Sequence, residues 1–154
     1  MTWLPEQILA DFATVARLAR VTLAAEDIRV EALPAPHAPT RLLSGQMAVY
    51  VFTHGDDVLK VGKVGPKSQA RYTSQHYNPG SAQSTLAASM IADAERIGLG
   101  EVDIAEIGSW IRLNVDRVNI LLPASLGIRV LTLLESFLQC RLRPRYEGFK
   151  SQRG

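Results

Sequence analysis

Met47-Ala48-Val49-Tyr50-Val51-Phe52, then His54-Gly55-Asp56-Asp57, then Val58-Leu59-Lys60-Val61-Gly62-Lys63 is the stretch that decides how this chain folds. Two runs of β-branched, aliphatic and aromatic residues flank a turn. Gly55 accepts a positive φ there and the aspartates can bond the turn backbone, so the runs are predicted to pair as an antiparallel hairpin. A glycine-proline loop and a short helix carrying Arg71 are expected to follow. The polar content of this hairpin sets it apart. Tyr50 interrupts an apolar strand, and from Lys60 to Arg71 the chain carries Lys60, Lys63, Lys67 and Arg71 with no acid among them. Such a local field suits a phosphate.

Composition bounds the classes available. At 154 residues the chain is read as a single domain able to bury a proper core, and 47% hydrophobic with 21% charged residues is ordinary for a globular protein. A formal charge of +2 does not by itself argue for nucleic acid. One cysteine, Cys140, excludes an intrachain disulfide, and with three scattered histidines it argues against a structural zinc site. No run approaches the roughly 20 apolar residues needed to span a bilayer, and the N-terminus lacks a basic segment followed by an apolar run. The expectation is a cytoplasmic protein with no membrane partner.

Around the hairpin the chain is predicted to alternate helices with one more strand. Pro5 suits a first helical turn, and Ile8, Phe12, Val15 and Ala19 recur at helical spacing. Ile28-Arg29-Val30-Glu31-Ala32 alternates as a short strand would, and Pro34-Ala35-Pro36-His37-Ala38-Pro39 is a stiff connector. After Arg71, Asn78-Pro79-Gly80 breaks the helix. A second helix is expected from Ser84 or Thr85 to Gly98, and Asp103 with Glu106 has capping-box spacing for a third. Arg117-Val118-Asn119-Ile120-Leu121-Leu122 reads as the third strand of the sheet.

The last helix begins near Ser125 and is apolar on nearly every side, through Leu126, Ile128, Val130, Leu131, Leu133, Leu134, Phe137 and Leu138, so it is expected to be largely buried. Glu135 is the acid within it. A carboxylate there either shares a narrow polar stripe with Thr132, Ser136 and Gln139 or requires a cationic partner or a metal.

Singly, each polar residue has an ordinary structural role: Tyr50 as a core tyrosine, Lys60 and Lys63 as solvated strand positions, Arg71 as a surface arginine. Together their order resembles the GIY-YIG nuclease superfamily. Ala48-Val49-Tyr50 resembles the first signature, with Ala48 for glycine, and Lys60-Val61-Gly62-Lys63 the second, with Lys60 where a tyrosine is usual. Arg71 falls at the family's helical arginine and Glu135 at its later glutamate. Leu142-Arg143-Pro144-Arg145-Tyr146-Glu147 is similar to the closing segment, with Glu147 where asparagine is common. Lysine at the second signature resembles the type II restriction endonucleases of the superfamily.

The resemblance implies an α/β (α+β) fold with a small, mainly antiparallel three-stranded sheet flanked by helices. Residues 46–147 would be the nuclease core, 1–45 an N-terminal helical extension and connector, and 148–154 a basic tail. It also implies hydrolysis of DNA phosphodiester bonds. Glu135 would hold a single Mg²⁺ or Mn²⁺, Arg71 would bind the scissile phosphate, and Tyr50, its pKa lowered beside Lys60 and Lys63, would take a proton from water. His76 is a further candidate for a phosphate or catalytic contact. Lys63, Lys67, Arg71, Tyr72, His76, Arg141, Arg143 and Arg145 are candidates for contacting double-stranded DNA, and the loop from Tyr72 to Ser84 for reading sequence. A restriction-type enzyme would act as a homodimer, because two strands must be cut. A non-catalytic nucleic-acid-binding module and a nonspecific repair or mobile-element nuclease remain as alternatives.

Overall fold

The turn chemistry at Gly55, whose φ is 58°, produces the expected hairpin. The computed structural model describes residues 3–81, 85–96, 98–99 and 104–146. Its strands are β1 (Arg29–Leu33), β2 (Gln46–His54), β3 (Asp57–Val64) and β4 (Asp116–Pro123). They form one antiparallel sheet in the order β1-β4-β2-β3. The class is α+β, as the sequence predicts, but the sheet has four strands rather than three. The alternating segment around Glu31 is brief alone. It joins the sheet because β4 offers it a full register, with Glu31 opposite Asn119 and the Asn119 amide donating to Glu31 Oε2 at 2.8 Å.

Among the described residues five α-helices cover the two faces: α1 (Pro5–Leu18), α2 (Gln69–Thr73), α3 (Leu86–Ala92), α4 (Ile107–Asn114) and α5 (Ile128–Leu142). Alternation along the central strand sorts the core into two layers. Met47, Val49 and Val51 meet Ile8 and Phe12 of α1 and Leu131, Leu134 and Leu138 of α5. Ala48, Tyr50 and Phe52 meet Tyr72, Leu86, Met90, Ile107 and Ile111 from the helices on the other side. A bulge between Phe52 and Thr53 leaves Leu59 and Lys60 both facing this second layer. None of the described helices is long and apolar enough to cross a membrane.

Two helix boundaries follow their caps. Thr85 Oγ1 accepts from the Ala88 amide at 3.1 Å, which starts α3 where the sequence placed it, though the helix stops at Ala92. α4 begins at Ile107 after a 3-10 turn, and the proposed cap at Asp103 lies outside the described residues. α5 is less enclosed than its composition predicts. Val130, Leu131, Leu134 and Leu138 are buried, whereas Arg129, Thr132, Ser136 and Cys140 stay exposed, so a polar stripe survives.

The face that carries Tyr50 is partly polar, against the usual rule for a buried sheet surface. Cross-strand register aligns Glu31, Asn119, Tyr50 and Gly62 in one row, and Leu33, Arg117, Phe52 and Lys60 in the next. Arg117 and Asn119 are fully buried. Arg117 Nε donates to Asn119 Oδ1 at 2.7 Å, and its Nη1 to the Tyr77 hydroxyl at 3.2 Å. Its guanidinium also lies over the rings of Tyr72, Phe52 and Tyr50, at 4.6, 5.2 and 5.5 Å from their centroids. Asn119 thus relays between the buried cation and Glu31, whose Oε2 also accepts from Thr40 and Tyr72. Replacing Asn119 by Ala removes the link between the two charges and leaves Arg117 with Tyr77 and Glu31 with Thr40 and Tyr72, so urea denaturation of that variant should show a loss of about 2 kcal/mol.

Candidate active site

β2 and β3 bring Tyr50 directly against Gly62. A Cβ built on Gly62 would lie 2.7 Å from Tyr50 Cζ and 2.8 Å from Cε2, so only glycine admits the phenol at this position. The short helix after the β3 loop and the 3-10 turn at Gln75–Tyr77 then close over it. Arg71 Nε lies 3.2 Å, and His76 Nε2 2.6 Å, from the Tyr50 hydroxyl. His76 is fully buried between the rings of Tyr50 and Phe52, with centroids 4.7 and 5.5 Å away.

Hydrogen bonding fixes the imidazole tautomer. The Leu86 amide donates to His76 Nδ1 at 3.2 Å, which makes Nδ1 the acceptor and leaves the proton of the neutral ring on Nε2. His76 therefore donates to Tyr50, as Arg71 does. The phenol oxygen accepts two hydrogen bonds, while its own O–H finds no acceptor among the described residues.

The electrostatics of these two groups run in opposite directions. Burial lowers the His76 pKa well below 6.5, and the positive charges of Lys60, Arg71 and Arg117 lower it further. Burial raises the Tyr50 pKa above 10, and this outweighs the opposing pull of Arg71 and Arg117; Glu135 adds to the rise. The expectation that neighbouring cations make Tyr50 a ready phenolate is corrected on this ground. Desolvation of a fully enclosed phenol is the larger effect.

Lys63 and Glu135 meet on the other face of the same strand. Lys63 follows Gly62 and so points toward α5, where its ammonium pairs with Glu135 Oε2; the two side chains are 34% and 14% exposed. The acid on the apolar helix thus has the cationic partner it required. Its remaining carboxylate oxygen makes no hydrogen bond to a described residue. Among the described residues no three His, Cys, Asp or Glu side chains converge. Glu135 presents a single carboxylate, the type of ligand used by a hard divalent cation that keeps most of its waters.

The other candidates are distributed unevenly. Lys60 is 3% exposed on the Tyr50 face, opposite Phe52, rather than solvated. Lys67 is exposed on the loop leading to Arg71 and bonds no described residue. Tyr72 is not available to a nucleic acid: it is 1% exposed, with its hydroxyl on Glu31 and Thr40. The segment suspected of reading sequence is likewise turned inward at His76 and Tyr77, with Asn78 and Gly80 exposed. Arg141, Arg143 and Arg145 lie near the β2–β3 turn, at the opposite end of β3 from Lys63, so they do not converge on Tyr50. Arg141 pairs with Asp11, and Arg145 with Asp57 and Asp93. Glu147 lies outside the described residues.

Arg117, Asn119, Glu31, Tyr77 and His37 belong to the polar layer behind Tyr50 and were missed as members of the site. His37, read as isolated in the proline-rich connector, is buried with Nε2 2.8 Å from the Tyr77 hydroxyl. One available signal was the alternation of Arg117 and Asn119 with Val118 and Ile120, which places both polar side chains on one sheet face. No family model, curated protein or solved structure matches the chain significantly.

Two outcomes follow from this geometry. Gly62→Ala should displace the Tyr50 ring and destabilise the fold by about 1–3 kcal/mol, measured by urea unfolding, with loss of the His76–Tyr50 contact in histidine NMR spectra. The buried His76 also makes stability depend on pH. Its folded pKa is depressed, so below 6.5 the unfolded chain binds a proton that the native ring refuses, and stability falls as pH drops. Below pH 6.5 the unfolding free energy from urea titrations should fall with dropping pH more steeply for the wild type than for His76→Gln, by up to about 1.4 kcal/mol per pH unit.

Proposed function

We propose that this chain is a metal-dependent endonuclease of GIY-YIG type that hydrolyses DNA phosphodiester bonds, of the restriction kind that cuts a short site as a homodimer. The observation that carries the proposal is the Tyr50 oxygen held by Arg71 Nε and His76 Nε2 over Gly62, with the Lys63–Glu135 pair one residue along the same strand. Phosphodiester hydrolysis requires a base for the attacking water and positive charge for the phosphorane-like transition state. Tyr50 on the hairpin and Arg71 on the helix after it supply these two roles.

Arg71 uses Nε on Tyr50 and has no described partner for its Nη groups, so its outer edge is available to a phosphate. Lys67 and Lys63 extend the positive field along the approach. Tyr50 accepts the proton of the attacking water once its own is lost. The hydrogen bonds from His76 and Arg71 stabilise the phenolate, and burial limits its population at neutral pH. Glu135 is the residue that would hold Mg²⁺ or Mn²⁺, and when bound the cation supplies charge beside the phosphate and the leaving oxygen.

One observation favours a second reading, a nucleic-acid-binding module of the same fold: Tyr50 and His76 have no exposed surface. Incubation of long duplex DNA with Mg²⁺, with EDTA and with Glu135→Ala protein separates the two. Cleavage that needs both the metal and Glu135, drops by about 100- to 1000-fold in Arg71→Ala, and rises with pH through the alkaline range in a Tyr50-dependent manner is the expected result. Discrete fragments would mark a specific enzyme and a smear a nonspecific one. Salt-sensitive binding without cutting would replace the enzyme by the binding module.

A further inference from the structure

The end of the molecule away from Tyr50 holds a second group of cations that the proposed chemistry does not use. A cleft of about 760 Å³ lies between the start of α1, the β2–β3 turn and the end of α5. Arg96, Arg141, Arg143 and Arg145 line it, against the carboxylates of Asp56 and Asp57. Arg145 donates to Asp57 at 2.6 Å and Arg141 to Asp11 at 2.7 Å. The side chains of Arg96 and Arg143 bond no described residue. Trp3, a wall of the cleft, is 6% exposed, and its Nε1–H has no acceptor among the described residues.

The chain segment that presents these groups is held in place. After α5, the Arg145 and Tyr146 amides donate to Val58 and Leu59 carbonyls of β3 at 2.9 and 2.8 Å. Arg143 itself adopts φ 50° and ψ 62°, the left-handed conformation that glycine ordinarily supplies at a helix end; Arg20 is the other non-glycine residue with positive φ among those described.

We propose that this cleft is a binding site for a phosphate group, separate from the Tyr50–Glu135 site. Its unpaired charged groups are mainly cationic: the guanidiniums of Arg96 and Arg143, opposed by the exposed Asp56, with the Trp3 indole N–H enclosed in the wall beside them. Guanidiniums match phosphate oxygens in fork geometry. The volume exceeds that of one phosphate, so the group enters attached to something larger. Val58, bonded by Arg145, lies five residues before Lys63 along β3, about 16 Å at strand rise. If the chain is a nuclease, that offset equals about five base pairs of duplex rise, and the phosphate belongs to the DNA backbone beyond the cut. The site does not otherwise depend on that activity.

The test follows the Trp3 indole N–H resonance of the full chain in EDTA, assigned with Trp3→Phe, since Trp110 is the only other tryptophan. The probes are inorganic phosphate, against sodium chloride at equal ionic strength, and a short DNA duplex. Arg143→Gly removes the guanidinium while placing glycine in a conformation it prefers, so the fold is retained. A saturable phosphate-induced shift, weakened about tenfold in Arg143→Gly, is expected; tenfold corresponds to about 1.4 kcal/mol. The same behaviour with the duplex assigns the phosphate to the nucleic-acid backbone, and a response to phosphate alone assigns it to a small phosphate-bearing molecule. No saturable shift with either probe, or a shift unchanged in Arg143→Gly, overturns the site. A protein that binds phosphate here and cuts no DNA would lose the nuclease reading and keep this one.

Discussion

A guanidinium with no access to water sits at the centre of the sheet, and the arrangement of the polar face follows from the need to accommodate it. Burying Arg117 is costly unless its N–H groups and its charge are answered. Asn119 and the Tyr77 hydroxyl answer two of its N–H groups, the faces of Tyr72, Phe52 and Tyr50 surround its plane, and Glu31 balances its charge through Asn119. Nη2 has no partner among the described residues. These contacts come from every strand but the outer β3, from α2 and from the turn after it. The fourth strand and the closure over Tyr50 therefore belong to the same constraint.

The field of this cation reaches the candidate site. Burial, reinforced by this cation with Lys60 and Arg71, favours neutral His76, and the Leu86 amide on Nδ1 leaves the single ring proton on Nε2 as the donor to Tyr50. A neutral donor and a charged one on the same phenol oxygen are an arrangement suited to stabilising negative charge once the proton leaves. The same burial that organises the site raises the proton affinity of the phenol. Preorganisation and desolvation thus oppose each other at one atom.

The strand next to Tyr50 joins the two layers. Gly62 and Lys63 are consecutive and face opposite sides of the sheet, one admitting the phenol and the other reaching Glu135 on α5. Only near a sheet edge can side chains from both faces approach a common ligand, and β3 is such an edge. Its first half is covered by the amides of Arg145 and Tyr146, which limits open pairing to the part near the site.

Local chemistry determined the hairpin from the sequence alone: Gly55 supplies the positive φ that the turn needs, and the flanking runs have strand propensity whatever surrounds them. It also determined the final helix and the oddness of an acid within it, because a carboxylate among leucines needs either a polar stripe or a partner. The tertiary structure decided that the partner is Lys63, that Tyr72 faces Glu31 and Thr40 rather than solvent, and that Glu31 belongs to a fourth strand. It also decided that Arg117, whose alternation with Val118 shows only that it shares a sheet face with Asn119, lies beneath Tyr50. His76 became central only when α2, the turn after it and the Leu86 amide met around the phenol. These outcomes depend on cross-strand register and burial between residues far apart in the chain. Propensity and spacing are local, whereas desolvation and charge are set by whatever packs across the sheet.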